Sequence, residues 1–247
     1  MKRFSDKEPR VDLDEDEGEV RDHKKRGVWG SVREILLTVV IALAVSIVIK
    51  TFLFRAFVIP STSMQNTLLV NDRVFVNQLF PQPFKLERGN VIVFKDDEKW
   101  LPELPQAAQP NAFEKALTFV GLRPDDGTQH LIKRIIGLPG DTVECCTASG
   151  KISVNGVEIT EPYLYPGDKP SEVPFKVTVP KDHLWVLGDH RSDSGDSRYH
   201  TDKNNGMVSM DSVVGRADFI AWPLDRWGGV ANPEGAFDAV PDREPKE

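Results

Sequence analysis

The longest apolar stretch of the chain covers residues 35–54, ILLTVVIALAVSIVIKTFLF, and its only charge is Lys50. A helix of this length spans about 30 Å, the thickness of the hydrocarbon core of a bilayer. A buried soluble helix is the alternative, but such helices normally show a polar face. The pattern therefore predicts a single transmembrane helix over 35–54, with Lys50 close enough to its end to snorkel to the headgroups.

The flanks of this helix predict that it is uncleaved and show how it is oriented. The sequence TFLFRAFVIP, at its end, offers bulky residues where a cleaved secretory signal needs small ones. Basic residues are denser before the helix than after it, where Arg55 and Arg73 stand. Those before it are Arg21, Lys24, Lys25, Arg26 and Arg33. The positive-inside rule then predicts a cytoplasmic N-terminus and a domain outside the plasma membrane.

Beyond the anchor, short β-type runs separated by turn residues predict a mainly β domain over 55–227, with antiparallel strands. The runs are RAFVIP, RVFVNQLF, NVIVFK, LIKRIIGL, FKVTVP, LWVLGD and VVGRADFIAW. The clearest local signal is KISVNGVEIT, in which Asn155-Gly156 predicts a type I′ hairpin turn. Residues 96–130 are rich in Pro and acidic side chains and predict an inserted surface segment, in which only 111–122 has a helical pattern.

The two ends of the chain are predicted to be poorly ordered. Residues 1–34 combine many charges with little to bury, which predicts a disordered cytoplasmic tail. Residues 228–247, GGVANPEGAFDAVPDREPKE, are polar and interrupted by Pro and Gly, which predicts a flexible C-terminal tail.

Charge and cysteine usage exclude several classes of protein. The formal charge of −7 and the pI near 5.4 argue against a nucleic-acid partner, which usually meets a basic face. The only two cysteines, Cys145 and Cys146, are adjacent and cannot form a conventional disulfide framework. We interpret them as having no special role; a vicinal disulfide between them is the alternative. The five scattered histidines include no HExxH pattern, so no metal site is expected.

A Ser/Thr-rich segment, PSTSMQNTL over 60–68, follows the anchor closely. From Arg55 to Ser63 an extended chain reaches at most about 27 Å, so any chemistry at Ser63 is held near the bilayer surface. Taken alone, the segment is more typical of a simple turn than of a reactive site.

A second segment, HLIKRIIGLPGD over 130–141, places Lys133 on one strand face with Leu131 and Ile135. An ammonium among apolar neighbours is costly to bury. Two interpretations stay open. Either Lys133 lies at an edge and snorkels into water, or it is a desolvated amine whose pKa falls far enough for it to act as a general base.

The third segment, LGDHRSDSGDSR over 187–198, is a loop of Asp, Ser and Arg after an apolar strand. Its spacing does not fit a calcium loop, because no Glu follows at the twelfth position from Asp189. A Ser-His-Asp triad lacks a GxSxG elbow. A network of Asp-Arg pairs that fixes a neighbouring site fits better.

Together the ordered motifs give the chain a strong resemblance to bacterial type I signal peptidases, membrane proteases with a Ser-Lys dyad that cleave signal peptides from exported preproteins. The match extends from the anchor to about Trp222 and includes NDRVFVNQL, RGNVIVF and VVGRADFIAWP. It implies the signal-peptidase type of antiparallel β-domain and no cofactor. The implied partners are signal peptides and membrane lipid, with the translocation machinery as a further candidate.

The resemblance also implies a role for individual residues. Ser63 matches the nucleophile and Lys133 its base, Ser61 matches an oxyanion-binding hydroxyl, and Ser194 matches the serine that orients the lysine. The supporting polar network corresponds to Asp189, Arg191, Asp196 and Arg198. The substrate pockets correspond to Ile59, Pro60, Met64, Leu68 and Ile132. The chain departs from the family's usual residues at four positions: Asn66 for Pro, Asn71 for Gly, Asn90 for Asp and His190 for Asn.

Overall fold

The computed structural model describes residues 28–102, 129–230, 232 and 234–245 of the chain. Its first element is the helix α1 (Val28–Phe52), which overlaps the apolar run over 35–54. The helix begins within the tail predicted over 1–34, so residues 28–34 are helical, and it ends before Phe54, which is the first residue of a strand. Large apolar side chains along α1, such as Ile35, Leu36 and Leu43, are exposed. Over the residues that the structure describes, no helix meets the combined length and apolarity needed to cross a membrane.

The regular secondary structure of the remaining described chain is mainly antiparallel strands, which confirms the predicted antiparallel β-domain. The strands are β1 (Phe54–Val58), β2 (Arg73–Asn77), β3 (Val91–Lys95), β4 (His130–Gly137), β5 (Thr142–Cys145), β6 (Ser153–Val154), β7 (Val157–Glu158), β8 (Phe175–Thr178), β9 (His183–Leu187), β10 (Val208–Ser209), β11 (Val213–Trp222) and β12 (Gly228–Gly229). Each predicted β-type run contains a strand. The strands β5, β10 and β12 were not predicted, because each has four residues or fewer and lies neither in a longer apolar run nor next to an Asn-Gly hairpin turn.

Two sheets share these strands. The larger sheet has the order β1-β2-β11-β3-β4-β9-β10, with β12 paired to β11. The smaller sheet has the order β7-β6-β5-β8. Its β6–β7 hairpin turns at Asn155 and Gly156, whose φ angles of 55° and 85° confirm the predicted type I′ turn. Because β1 lies at the end of the larger sheet, one of its edges is not paired with any described strand.

The interior strand β4 is covered on both faces. Of its eight residues only His130 is not buried, so side chains that alternate between the two faces all lie in cores. One apolar cluster, formed with Ile59, Met64 and Leu68, lies against Ile132. A second cluster contains Leu131 and Ile135, and a third contains Ile136. Lys133 is therefore placed in an interior, and the edge position considered from the sequence is wrong.

The described part of the C-terminal segment is docked, where the sequence predicted a flexible tail over 228–247. Val240 is 7% exposed and packs in the core cluster that contains Val143 and Val154 of the smaller sheet. Asn155 Nδ2 donates to Pro241 O at 2.8 Å, and Arg88 donates to Asp242 at 3.0 Å. The polar, Pro-rich composition gave no sign that Val240, together with Phe237, packs against this core.

The structure answers the question of the two cysteines, while two other predicted segments lie mostly outside the described residues. Cys145 and Cys146 are joined by a vicinal disulfide, which was the less favoured of the two interpretations of these cysteines. Residues 103–128, which include most of the predicted insertion and its helical pattern over 111–122, lie outside the described residues. The same holds for residues 1–27 of the predicted tail.

Candidate active site

Ser63 lies on a turn that two buried side chains fasten to the core. Met64 and Leu68 are fully buried in the same apolar cluster, and the backbone N–H of Leu68 donates to Met64 O at 2.8 Å. Asn66 has a φ of 85°, a left-handed conformation that Asn tolerates better than most residues. Its side-chain amide donates to Tyr163 O and Leu164 O at 3.1 and 3.0 Å. The turn is thus held by the apolar cluster and by the backbone of Tyr163 and Leu164.

Lys133 meets Ser63 from the neighbouring strand β4. The distance from Lys133 Nζ to Ser63 Oγ is 2.7 Å, although the two residues are 70 positions apart in the chain. Their exposures are 3% and 6%, so water has little access to either. Burial lowers the pKa of the Lys133 amine from 10.5 to about 8, against the raising effect of Asp196 and Asp189. An amine with this pKa is partly neutral near pH 7 and can accept a proton from the hydroxyl.

Two more hydroxyls surround the pair. Ser61 Oγ is 3.3 Å from Ser63 Oγ, close enough for a weak hydrogen bond. Ser194 Oγ is buried and has no hydrogen-bond partner among the described residues, so the contact with Lys133 that its predicted role requires is not made. A Cβ at Gly188 would lie 2.2 Å from Ser194 Oγ and 2.5 Å from Ser63 O. Only glycine fits at position 188, and the sequence analysis did not single it out.

A buried ion pair supports the site from behind. Arg134, the neighbour of Lys133, donates from two nitrogens to Asp189 at 2.8 and 2.6 Å, and all of these side-chain atoms are buried. Thr67, on the serine turn, donates to Asp189 Oδ2 at 2.5 Å. Arg134 also donates to Gly89 O at 2.7 Å. The sequence analysis predicted Asp189 but missed Arg134 and Thr67. The only signal for Arg134 was a second charge in an apolar strand.

The other predicted network residues form a second layer. Arg198 binds both oxygens of Asp196 at 2.8 Å, and Asp196 accepts the backbone N–H of Gly188 at 3.0 Å. Arg191 donates to Gly188 O at 2.8 Å and forms a buried ion pair with Glu161, which the sequence analysis missed. The loop that follows β9 is therefore held by these pairs, and the predicted residues Asp189, Arg191, Asp196 and Arg198 are brought together.

Comparison with known proteins identifies the family. A family model described as "Signal peptidase, peptidase S26" matches residues 32–222. The chain belongs to this signal peptidase family. It is a hydrolase of the signal peptidase I class, as its curated relatives also indicate.

The relatives cover most of the chain. The probable signal peptidase I of Mycobacterium leprae is 36% identical over 240 residues, covering 85% of this chain and 81% of its own. The signal peptidase I of Mycobacterium tuberculosis is 36% identical, covering 83% and 78%. A crystal structure of signal peptidase I from Enterococcus faecalis is 26% identical, covers 53% of this chain and 96% of its own, and has a TM-score of 0.35.

The residues that the family resemblance assigned to substrate pockets lie together beside the dyad. Four of them, Ile59, Met64, Leu68 and Ile132, are buried in one apolar cluster, and Pro60 is exposed.

Of the departures from the family pattern, Asn71 takes a φ of 73° where the family usually has Gly. Asn90 caps Glu87 through its side chain at 3.0 Å. Among the described residues no group of His, Cys, Asp or Glu side chains could hold a metal ion.

A buried lysine with a lowered pKa also destabilises the fold, which predicts that Lys133→Met is more stable than the wild type. The shift of the Lys133 pKa from 10.5 to about 8 means that burying this lysine costs about 3 kcal/mol of folding stability at pH 7. Loss of the hydrogen bond to Ser63 in the variant offsets about 1 kcal/mol of the gain. Below pH 8 the penalty is constant. It shrinks as the pH rises from 8 to 10.5, because the folded amine is already neutral while the unfolded amine is still protonated, so folding releases a proton and is favoured by higher pH. Urea unfolding at pH 7 and 9 checks this, and we expect the stability gain to be about 1 kcal/mol smaller at pH 9. A gain that grows with pH would contradict the assignment.

Proposed function

We propose that the chain is a membrane-anchored serine endopeptidase that removes N-terminal signal peptides from exported preproteins with a Ser63–Lys133 dyad. The observation that carries this proposal is the 2.7 Å contact between Lys133 Nζ and Ser63 Oγ in a buried setting. A Ser-Lys pair needs a dry lysine, because only the neutral amine can accept the serine proton. The apolar neighbours of Lys133 therefore belong to the mechanism.

In the proposed reaction, neutral Lys133 takes the proton from Ser63 Oγ as the oxygen attacks the scissile carbonyl. The C–N bond then breaks, the amine leaves with the proton from Lys133, and an acyl-enzyme remains. Water, activated by the same lysine, hydrolyses the ester and frees Ser63. Ser61 Oγ and the Ser63 backbone N–H are the proposed donors to the oxyanion, each worth roughly 3 kcal/mol in the transition state.

The substrate is proposed to bind as an added strand. The strand β1 leads into the serine turn and pairs with β2 along one edge. An extended peptide on its other edge would bring a carbonyl towards Ser63 and insert alternate side chains towards the cluster of Ile59, Met64 and Ile132. Shallow pockets of this kind favour small residues one and three positions before the cut, as the family resemblance implies.

Membrane attachment is part of the proposal. The part of the apolar run that lies in α1, residues 35–52, is proposed as a single-pass anchor in the plasma membrane, with a cytoplasmic N-terminus and the catalytic domain outside. On the β-domain itself, Phe54 and Val58 of β1 and Phe75 of β2 are exposed on one sheet face. Leu224 and Trp227 are also exposed, and the Trp227 ring contacts Phe219 at a centroid distance of 5.0 Å. Exposed apolar surface of this kind supports lipid as a partner.

The proposed function is tested with the full-length protein in phospholipid vesicles and several unrelated exported preproteins. We expect each preprotein to be cut once, and N-terminal sequencing of the mature product should place a small residue at the first and third positions before the cut. Cleavage of a single client only would point to a dedicated processing enzyme. No cleavage, together with no labelling of Ser63 by an acylating inhibitor, would contradict peptidase activity. Adding components of the translocation machinery to the vesicles tests whether this machinery is a further partner of the enzyme.

A further inference from the structure

Asp193 is a carboxylate that connects the loop after β9 to the serine turn. It ends a 3₁₀ turn (Arg191–Asp193), and its Oδ2 accepts a hydrogen bond from Thr62 Oγ1. Thr62 stands between Ser61 and Ser63 in the chain. The bond therefore fastens the turn at the residue between its two hydroxyls, across 131 positions of sequence. The family resemblance assigns no role to Asp193 or Thr62.

The loop that carries Asp193 is itself well anchored. The backbone N–H of Asp193 donates to His190 O at 3.0 Å, and that of His190 donates to Ser63 O at 3.1 Å. The neighbouring Ser192 donates from its backbone and its hydroxyl to Asp168 at 3.1 and 2.8 Å. Asp193 is thus presented to Thr62 from a fixed position, although its own side chain is exposed.

The charge of Asp193 also acts on the dyad. The charged groups from its loop that act on the Lys133 amine are Asp196, Asp189, Arg198 and Asp193. Asp196 is bound by Arg198, and Asp189 is bound by Arg134. The described partner of the Asp193 side chain is the neutral Thr62 hydroxyl. Its charge is therefore not offset by a hydrogen-bonded guanidinium in the way that the other two carboxylates are.

The other elements around Lys133 place their charges further along the strands. The residue paired with Lys133 on β3 is Ile92, and β3 reaches its only charge at Lys95, opposite His130. On β9 the titratable residue is His183, which pairs with Ser209. The serine turn over 60–68 contains no charged side chain. The loop after β9 is thus the main electrostatic neighbour of the amine.

We propose that Asp193 is a positioning residue of the dyad, which anchors the serine turn through Thr62 and acts through its charge on the Lys133 amine. This inference rests on the proposed function. The two contributions can be separated, because Asn at position 193 removes the charge and keeps an oxygen that can accept the Thr62 hydroxyl, whereas Val at position 62 removes the hydroxyl and keeps the charge.

The experiment measures the pH dependence of kcat/KM for preprotein cleavage and of the rate at which an acylating inhibitor labels Ser63. For Asp193→Asn we expect the rising part of both profiles to move to lower pH, with activity at pH 7 about 2- to 3-fold higher and the plateau little changed. Asp193→Glu should keep the wild-type profile. For Thr62→Val we expect the plateau to fall roughly 10-fold, with the rising part unmoved. Asp211→Asn, an exposed carboxylate before β11, controls for the loss of one charge.

The outcomes distinguish this inference from the proposed function. If the wild type cleaves preproteins but the profile of Asp193→Asn superimposes on it, the inference is overturned while the function stands. Full activity of Thr62→Val would overturn the anchoring role in the same way. If the wild type cleaves nothing, the proposed function fails first. Melting temperatures within a few degrees of the wild type show that a changed profile does not come from partial unfolding.

Discussion

Replacement of Lys133 by Ala is expected to lower kcat/KM for preprotein cleavage by roughly 10³-fold or more. Lys133 Nζ is 2.7 Å from Ser63 Oγ, and among the described residues it is the group in contact with that oxygen that can accept its proton. A positioned general base contributes about 10² to 10⁴ in rate, and here its loss also leaves the serine inactive. Ser63→Ala should be equally inactive, and the double variant should be no worse than either one, because the two groups act as a unit.

The same dyad predicts the pH profile of the wild type. With the pKa of Lys133 at about 8, the neutral fraction rises about tenfold per pH unit below 8 and saturates above it. The value of kcat/KM for a peptide substrate should follow this curve when chemistry limits the rate. Lys133→Arg should be inactive at every pH, since a guanidinium does not give up its proton in proteins. A flat profile from pH 5 to 9, or an active Arg variant, would contradict the assignment of Lys133 as the base.

Much of this architecture could be predicted from the sequence, because strands and turns leave local signals. The β-type runs, including the one around Lys133, and the Asn155-Gly156 hairpin each show in a short window of sequence. The dyad itself does not, since the pairing of residues 63 and 133 depends on the order of strands in the sheet. The family resemblance supplied that pairing, and the sequence alone left the lysine between an edge position and an interior one.

The residues that were missed act through backbone or long-range contacts. Gly188 is required by the close approach of Ser194 and Ser63, which becomes visible only when three segments are assembled. Glu161 is buried only because it meets Arg191 from another part of the chain. The docked C-terminal segment depends on Val240 finding a core that is built elsewhere. The sequence shows the chemical type of each of these residues but not which residue each one contacts in the fold.

The largest effect on stability is expected from Asp189→Ala. The change leaves the Arg134 guanidinium buried without its carboxylate and removes the acceptor of the Thr67 hydroxyl. Loss of one partner from a buried pair costs about 3 to 5 kcal/mol, because the remaining charge is no longer compensated. Urea unfolding at pH 7 measures it. The matched control is Glu144→Ala, which breaks an exposed pair with Lys176 at 2.9 Å and should cost less than about 1 kcal/mol.

A double variant separates the charge effect from the role of the network. Replacing Arg134 with Met and Asp189 with Leu removes both buried charges together, so most of the stability lost in Asp189→Ala should return. Activity should not return with it, because Thr67 no longer has the carboxylate that fastens the serine turn to the loop after β9. If the double variant recovers both stability and cleavage, the ion pair serves the fold alone. If it recovers neither, the loss in Asp189→Ala comes from packing and not from an uncompensated guanidinium.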